Sequence, residues 1–204
     1  MWFSSCHFPS GDASHTLHET SSADGVVWTE PTGPLVVDAY APTVIRENGR
    51  YRMWYTDVRE DPWSIRTAES VNGRDWTVFA DPVLEVDQGW ERQRLVYPTV
   101  LTLGRKYLMW YGSYSNKPGT VMTTALGFAI SDDGYNWRKS HRNPVFGPDR
   151  SRPWESHFTT SQSILGLPDG SWRIWYASRK KPPFDHKYFA IGTARWAGPG
   201  LIPA

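Results

Sequence analysis

The chain repeats one short aromatic pattern four times, and this repetition limits its fold more than any other feature of the sequence. Methionine or isoleucine followed by two aromatic residues occurs at Met1-Trp2-Phe3, Met53-Trp54-Tyr55, Met109-Trp110-Tyr111 and Ile174-Trp175-Tyr176. The last three are each preceded by a second recurring segment, which reads YAPTVI from Tyr40, VYPTVL from Val96 and TSQSIL from Thr160. Proline and tryptophan are twelve positions apart in both the YAPTVI and the VYPTVL copies, which indicates a true internal repeat.

Three copies also carry a turn signal that ends in tryptophan. These turns read SADGVVW from Ser22, SVNGRDW from Ser70 and SDDGYNW from Ser131. Asn-Gly and Asp-Gly pairs between β-branched and aromatic runs are typical of antiparallel hairpins. Four short strands that recur every roughly 50 to 65 residues are typical of a propeller blade, and no helical periodicity competes with them. We therefore predict an all-β fold, a β-propeller of four-stranded antiparallel blades.

The order of these landmarks predicts one domain over residues 1–204 that begins inside a blade. The predicted units are a partial blade at 1–35, blades at 36–81 and 92–143, and a partial blade at 156–197, about three and a half blades in all. The first blade begins at its second strand, with HTLHETSS and VVWTE as its third and fourth strands. After the last blade only AGPGLIPA follows.

An incomplete propeller leaves a strand edge with unpaired backbone groups, and such edges recruit another chain. We therefore expect a homo-oligomer, with a symmetric dimer favoured. The alternative is that the chain is part of a longer product whose missing blade precedes Met1.

Charge and cysteine content exclude several classes of partner. Lysine and arginine number 22 against 21 aspartates and glutamates, so the basic surface of a nucleic-acid binder is missing. The single cysteine, Cys6, excludes an internal disulfide framework. The first residues lack the features of a signal peptide, and no run approaches the length of a membrane span. We expect no nucleic-acid or membrane partner and, by default, a cytoplasmic location.

Aromatic content is high, with twelve tryptophans, ten tyrosines and eight phenylalanines. Paired aromatic residues on strands usually fill a core. They also suit carbohydrate binding, because an aromatic face matches the C–H surface of a sugar ring. Composition alone leaves both interpretations open.

The repeats also carry a family resemblance. The order YAPTVI, then G-x-Y-x-MWY, then AxS-x-DG-x-x-W, with a Pro-Val pair before the next blade, resembles the five-bladed β-propeller glycosidases of families 43, 32 and 130 and their relatives. The resemblance covers nearly the whole chain, but its motifs belong mostly to the scaffold. It implies blades around a central pocket and a carbohydrate as partner. We expect no cofactor, and calcium in the central channel is suggested by the resemblance alone. The chain departs from this group in length, because at least one of five blades is missing.

Long polar connections lie on one predicted face of the propeller. They read CHFPSGDASH, TDVREDPWS, YSNKPGTVMTT, RKKPPFDHK, EVDQGWERQRLV and GPDRSRPWESHF. The opposite face has only tight turns. Because scaffold turns need no length whereas binding loops do, we expect the functional site on this long-loop face.

The resemblance also implies catalytic residues. In those glycosidases three acidic residues reach the pocket from near the starts of inner strands, and the matching positions here are Asp38, Glu91 and Glu155. Glycoside cleavage needs an acid and a second carboxylate, and the resemblance assigns Asp38 as base and Glu155 as acid. A structural explanation competes, because Trp-Glu recurs at equivalent positions of two repeats and suits a structural brace.

Five further residues are candidates for binding the substrate. They are Asp57, Arg94, Tyr40, Tyr97 and His157. Arg94 suits a sugar hydroxyl or a neighbouring carboxylate, and its alternative role is an ion pair with Glu91. Asp57 differs from its counterparts in the other repeats, which are serines, and its loop is alternatively a charged, solvated surface. The histidines at 7, 15 and 18 are too loosely spaced to predict a metal site.

Together these observations predict a glycosidase-like protein that hydrolyses or binds a neutral oligosaccharide in a pocket on the long-loop face. The alternative is a non-catalytic carbohydrate-binding or assembly propeller with a degenerate active site.

Overall fold

The computed structural model describes residues 1–7, 14–115, 123–180 and 189–196. Blade 1 contains β1 (Trp2–His7), β2 (Ser14–Glu19) and β3 (Thr32–Val37). Blade 2 contains β4 (Ala39–Glu47), β5 (Arg50–Asp57), β6 (Ser64–Ser70) and β7 (Thr77–Val78). Blade 3 contains β8 (Leu95–Leu103), β9 (Lys106–Ser115), β10 (Thr123–Ser131) and β11 (Trp137–Lys139). Blade 4 contains β12 (Phe158–Gly166), β13 (Trp172–Arg179) and β14 (Ala190–Trp196), preceded by one 3-10 turn at Pro153–Glu155.

The strands of each blade pair in an antiparallel ladder in chain order, so the predicted all-β propeller architecture is confirmed. One parallel bridge between Thr124 and Phe158 joins blade 3 to blade 4. Several predicted segments lie outside the described residues. They are the loop portions 8–13, 116–122 and 181–188 and the C-terminal stretch 197–204. Among the described segments, none is a helix long and apolar enough to cross a membrane.

The fourth strand of blade 1 differs from the prediction. VVWTE was the expected strand, but β3 begins at Thr32 and pairs with β2 through Val36 and Val37. The reason is local: the Asp24 carboxylate accepts the main-chain N–H groups of Val26 at 2.8 Å and Val27 at 2.9 Å. These amides therefore belong to the turn, and strand pairing starts only after it.

A β-bulge interrupts each complete inner strand at the same place. The bulged residues Ala41, Tyr97 and Ser161 have left-handed backbone, with φ values of 49°, 55° and 53°, and the register of each ladder shifts there. A bulge bends the strand and re-aims its side chains. The three bulges, with their neighbouring residues, line a cavity of 310 Å³ between the inner strands, which we call the axial cavity.

Aromatic residues of the repeat fill the space between consecutive blades. Between blades 2 and 3, Trp54 packs with Met109 and Tyr111. Between blades 3 and 4, Trp110 packs with Ile174. These rings are buried, so for them the core-filling interpretation is correct.

Candidate functional site

Glu91 is a fully buried brace between blade 3 and the segment that precedes β8. Its Oε1 accepts a hydrogen bond from the Tyr111 hydroxyl at 2.5 Å, and its Oε2 lies 2.6 Å from Lys139 Nζ. The main-chain N–H groups of Asp87 and Gln88 also donate to Oε2, both at 3.2 Å. Burial and the neighbouring carboxylate raise the pKa of Tyr111 well above its usual range. With its side chain 0% exposed, this carboxylate has no surface left for a substrate.

Glu155 occupies the equivalent place in blade 4. The Tyr176 hydroxyl donates to its Oε2, and burial together with this contact raises the pKa of Tyr176 to about 12. Arg152 Nη1 lies 2.7 Å from Oε1 as an ionic contact, and this oxygen accepts no hydrogen bond from a described residue. The Glu155 side chain is 4% exposed.

A tryptophan completes both units, which we call the Trp-Glu-Tyr braces. Trp90 lies 5.9 Å from Tyr111 between ring centroids, and Trp154 lies 6.1 Å from Tyr176. A glycine provides the room: a Cβ placed on Gly127 would lie 2.5 Å from Tyr111 Cζ and 2.7 Å from Trp90 Cζ2. The structure thus supports the brace explanation for both glutamates and does not bring either of them to the axial cavity.

Asp38 lies apart from the two braces, at the start of inner strand β4. It is half-buried, and its backbone is left-handed with φ of 57°. Such backbone is uncommon outside glycine and concentrates at functional positions. Its charge acts on His15: burial lowers the pKa of that imidazole, and Asp38 partly offsets the effect. Asp38 is therefore the one predicted catalytic carboxylate that lies outside a brace.

Four rings from three blades come together on the long-loop side of β4, and we call them the aromatic cluster. They are His15 of blade 1, Tyr40 and Trp63 of blade 2, and Tyr97 of blade 3. The ring centroid of Tyr40 lies 4.5 Å from that of His15, 5.3 Å from that of Tyr97 and 6.4 Å from that of Trp63. The Tyr40 and Tyr97 hydroxyls are hydrogen-bonded at 2.8 Å. All four residues are half-buried, so they form a rim and not a closed core.

Arg94 adds a cation to this cluster. Its guanidinium lies 3.9 Å from the Trp63 ring centroid, in cation–π geometry. Its Nε lies 3.3 Å from Asp61 Oδ1. The Leu95 N–H donates to the Trp63 carbonyl at 3.0 Å, which holds the segment around Trp63 against the start of β8. The predicted alternative, an ion pair with Glu91, is not formed, because Arg94 pairs with Asp61 instead.

Asp57 belongs to a different, polar site. Arg59 donates to it from Nε at 2.9 Å and from Nη2 at 2.8 Å, and Arg66 Nε donates at 2.8 Å. Burial alone would raise the pKa of Asp57, but these hydrogen bonds outweigh it and hold the pKa below its usual value. The three residues line a cavity of 400 Å³ to which Asp61 also contributes.

His157 is half-buried beside the second brace. Its ring lies 4.7 Å from that of Phe158, and its main-chain N–H donates to the Arg179 carbonyl at 3.1 Å. No contact among the described residues joins it to the aromatic cluster. From blade 4 it is Gln162 that approaches this cluster, since its Nε2 donates to the Tyr97 carbonyl at 2.5 Å.

The sequence therefore predicted Tyr40, Tyr97 and Arg94 as neighbours but missed Trp63, His15 and Asp61. Trp63 and Asp61 lie in the loop TDVREDPWS, and the only available signal was the length of that loop. Among the described residues, no three His, Cys, Asp or Glu side chains meet as they would around a metal ion.

No protein-family profile and no curated protein sequence matches the chain. Solved structures do share its fold. A thermostable family-43 glycoside hydrolase matches with a TM-score of 0.64 at 18% identity, over 94% of this chain and 70% of that chain. A GH32 beta-fructofuranosidase from Bombyx mori matches with a TM-score of 0.59 at 17% identity, over 78% and 32%. An N-acetylgalactosamine deacetylase from F. plautii, in complex with blood group B trisaccharide, matches with a TM-score of 0.63 at 15% identity, over 86% and 62%.

Identities this low establish the architecture only, and the matched proteins differ in the reactions their names describe. The chain spans 70% of the family-43 enzyme. It has the fold of the five-bladed β-propeller glycoside hydrolases over that part of their length.

Proposed function

We propose that the protein binds a neutral oligosaccharide at the aromatic cluster on its long-loop face. The observation that carries this proposal is the convergence of half-buried rings from three blades around Tyr40. An aromatic face accepts the C–H face of a sugar, whereas hydroxyl, guanidinium and carboxylate groups hydrogen-bond to the sugar hydroxyls. Tyr40, Arg94 and Asp61 supply these three groups within one cluster.

The near-neutral composition of the cluster favours a neutral sugar over an acidic one. Arg94 is its cation, and Asp61 already compensates that charge at 3.3 Å. Burial lowers the pKa of His15, so its imidazole is neutral at physiological pH and contributes a ring face instead of a charge. An uncompensated positive charge, which a uronic acid would require, is missing from the described part of this cluster.

Glycoside hydrolysis is a second candidate function, and the left-handed backbone of Asp38 favours it. In this variant of the proposal Asp38 acts as base, at the position that the resemblance assigns to that role. Glu91 and Glu155 do not supply the acid, because both carboxylates are buried and hydrogen-bonded to a tyrosine in the Trp-Glu-Tyr braces. Asp61 is the other carboxylate next to the aromatic cluster, but it is ion-paired with Arg94, so this variant of the proposal names the base and leaves the acid unassigned.

The test is isothermal titration of the protein with a panel of neutral oligosaccharides. Replacing Trp63 by alanine should weaken the binding of any hit by about tenfold or more, as for an aromatic hot spot. Phe79→Ala is the matched control, because Phe79 is also partly exposed but lies on the outer side of blade 2. Unchanged affinity in both Trp63→Ala and Tyr40→Ala would contradict the proposed site.

Turnover of aryl glycosides separates binding from hydrolysis. If Asp38 is the base, Asp38→Asn should abolish turnover while the oligosaccharide still binds. Binding without turnover by the wild-type protein would support the non-catalytic alternative.

We also propose that the protein self-associates. Within the described residues, β1 pairs with β2 alone and leaves its other edge without a strand. The Ala41 N–H donates to Ser4 Oγ at 3.1 Å, so β4 covers this edge in part. A symmetric dimer, the commonest arrangement of identical subunits, stays a prediction.

A further inference from the structure

A recurring hydrogen bond joins the second strand of one blade to the turn of the next. Trp2 Nε1 of blade 1 donates to the Gly73 carbonyl of blade 2 at 2.8 Å. Trp54 Nε1 of blade 2 donates to the Gly134 carbonyl of blade 3 at 2.9 Å. In the second case Arg52, two residues earlier on the same strand, also donates to the carbonyl of Asp133 at 2.7 Å. Between blades 2 and 3, therefore, an Arg-x-Trp sequence on the second strand binds the Ser-x-Asp-Gly turn of the following blade.

Glycine makes the turn fit the indole ring. A Cβ on Gly73 would lie 2.7 Å from Trp2 Cζ2, and one on Gly134 would lie 2.9 Å from Trp54 Cζ2. Both glycines also have left-handed backbone, with φ of 79° and 80°. Only glycine tolerates both the left-handed backbone and the close approach of the indole ring. The turn is therefore a specific binding site for a tryptophan side chain.

Blade 1 carries the same turn without a tryptophan seated on it. Ser22 Oγ accepts the Gly25 N–H at 2.8 Å, as its counterparts do in the other two turns. The Gly25 carbonyl accepts a hydrogen bond from Trp28 Nε1 of the same turn at 3.2 Å. No described residue lies within 4 Å of the place that a Cβ on Gly25 would take. Val26 and Val27, at 79% and 72% exposure, leave this turn open to another molecule.

Blade 4 carries the complementary motif, and no turn of the described residues lies against it. Trp175 is the counterpart of Trp54, but it is 36% exposed where Trp54 is 0% exposed. Arg173 stands two residues earlier, as Arg52 does, and is also exposed. Ile191, on the neighbouring strand, is 80% exposed. The last blade thus presents an apolar surface with an Arg-x-Trp motif on it.

We propose that Arg173 and Trp175 of one copy dock on the turn at 22–28 of a second copy. A second copy is the occupant because this chain holds both halves of a contact that it already makes between its own blades 2 and 3. The docking would bury the indole of Trp175 and satisfy the free lone pair of the Gly25 carbonyl. The contact is head-to-tail, so two copies close a ring if both contacts form, and otherwise a longer array grows.

Sedimentation of the wild-type protein over a range of concentrations is the first test. The expected result is a concentration-dependent mass above the 23.3 kDa of one chain. Trp175→Ala should weaken this association by about tenfold or more, and Arg173→Ala by a smaller factor. Both residues are exposed in the single chain, so the variants should keep the wild-type circular dichroism spectrum. Phe79→Ala is the control that should associate normally.

Cross-linking of mixed copies tests the pairing itself. In a Cys6→Ser background, copies with Ile191→Cys, an exposed position on the strand next to Trp175, are mixed with tagged copies that carry Ala23→Cys, and a short bis-maleimide is added. The expected product joins one copy of each kind. Val71→Cys is the matched control, since Val71 occupies the position of Ala23 in the turn that Trp2 already fills.

Three results would overturn the proposal. The first is a monomer at about 100 μM, a concentration at which even weak specific interfaces form. The second is an oligomer that Trp175→Ala does not weaken, which would point to another surface, such as the β1 edge. The third is equal cross-linking of Ala23→Cys and Val71→Cys.

Discussion

Equivalent strand positions have different roles in blades 2 and 3. In blade 3, Gly127 pairs with Tyr111 and leaves room for the ring of Trp90, which closes the brace over Glu91. In blade 2 the residue paired with the equivalent tyrosine is Arg66. No brace forms there, and Arg66 instead turns to Asp57.

The difference shows how a repeat separates scaffold from function. Where blades 3 and 4 agree, as in the two braces, the shared glutamates and tyrosines are buried, the tryptophans are partly buried, and together they hold neighbouring elements in place. Where blade 2 departs, its side chains border a polar cavity and the rim of the aromatic cluster. The departures of blade 2 from the repeat are therefore better guides to a binding site than the repeated carboxylates.

Removal of the blade 3 carboxylate should have the largest effect. Glu91→Ala leaves Lys139, whose side chain is 6% exposed, with the exposed Asp87 as its one remaining ionic partner and the Glu85 carbonyl as a further acceptor. We expect a loss of about 3–5 kcal/mol in the free energy of unfolding, as for a broken buried ion pair. Urea denaturation measures it. Retained stability together with lost oligosaccharide binding would instead place Glu91 in the site.

The carboxylate of blade 2 should matter less for stability but should respond to pH. Asp57→Asn leaves Arg66, a largely buried side chain, without its ionic partner, and we expect a loss of about 2–3 kcal/mol at pH 7. The pKa of Asp57 is lower in the folded protein than its ordinary 3.8. Its stabilisation is therefore present above pH 3.8 and is lost as the pH falls through the folded-state pKa.

Unfolding free energies of wild type and Asp57→Asn between pH 7 and pH 3 measure this dependence. The difference between the two proteins should shrink toward the acid end. A difference that stays constant over this range would mean that Asp57 does not contribute through its charge.

Filling the glycine of blade 3 should have a smaller effect. Gly127→Ala forces Trp90 or Tyr111 to move, and we expect about 1–3 kcal/mol of destabilisation from overpacking. Gly89→Ala is the matched control, since no atom lies within 4 Å of its Cβ position. Thermal unfolding of both variants compares them. Equal melting temperatures would show that the brace rings adjust freely.

The smallest expected effect concerns His15. Burial lowers its pKa below the ordinary 6.5, so the unfolded chain takes up a proton in a range where the folded protein does not. Stability should therefore decrease as the pH falls below 6.5, and this decrease should be shallower in His15→Gln. Denaturation at closely spaced pH values between 7 and 5 measures the slope, and identical slopes would contradict the prediction.

The sequence predicts the blades well because their signals are local and repeated. Hairpin pairs and alternating aromatic residues lie within a few positions of each other, and the recurring segments at Tyr40, Val96 and Thr160 lie in the inner strands β4, β8 and β12. The bulges in these strands were not predicted. The displaced strand β3 shows the limit, since the hydrogen bonds of Asp24 outweigh the β propensity of Val26 and Val27.

The candidate site was predictable only in part. Tyr40 and Tyr97 lie on repeated strands, so their proximity follows from strand alignment. Trp63 lies in a loop that no repeat describes, and it is placed by Arg94 from the next blade. The braces show a different limit. A family pattern predicted Glu91 and Glu155 as catalytic, but it does not reveal that both carboxylates are buried by packing against neighbouring residues.

The turn at 22–28 holds its own shape. Its hydrogen bonds from Ser22, Asp24 and Trp28 all span two or three residues, so none depends on a neighbouring blade. A surface of this kind is pre-organised, and a partner that docks on it spends little free energy on ordering the backbone. Encounter and orientation, rather than a slow rearrangement of the loop, should then set the rate at which anything binds there.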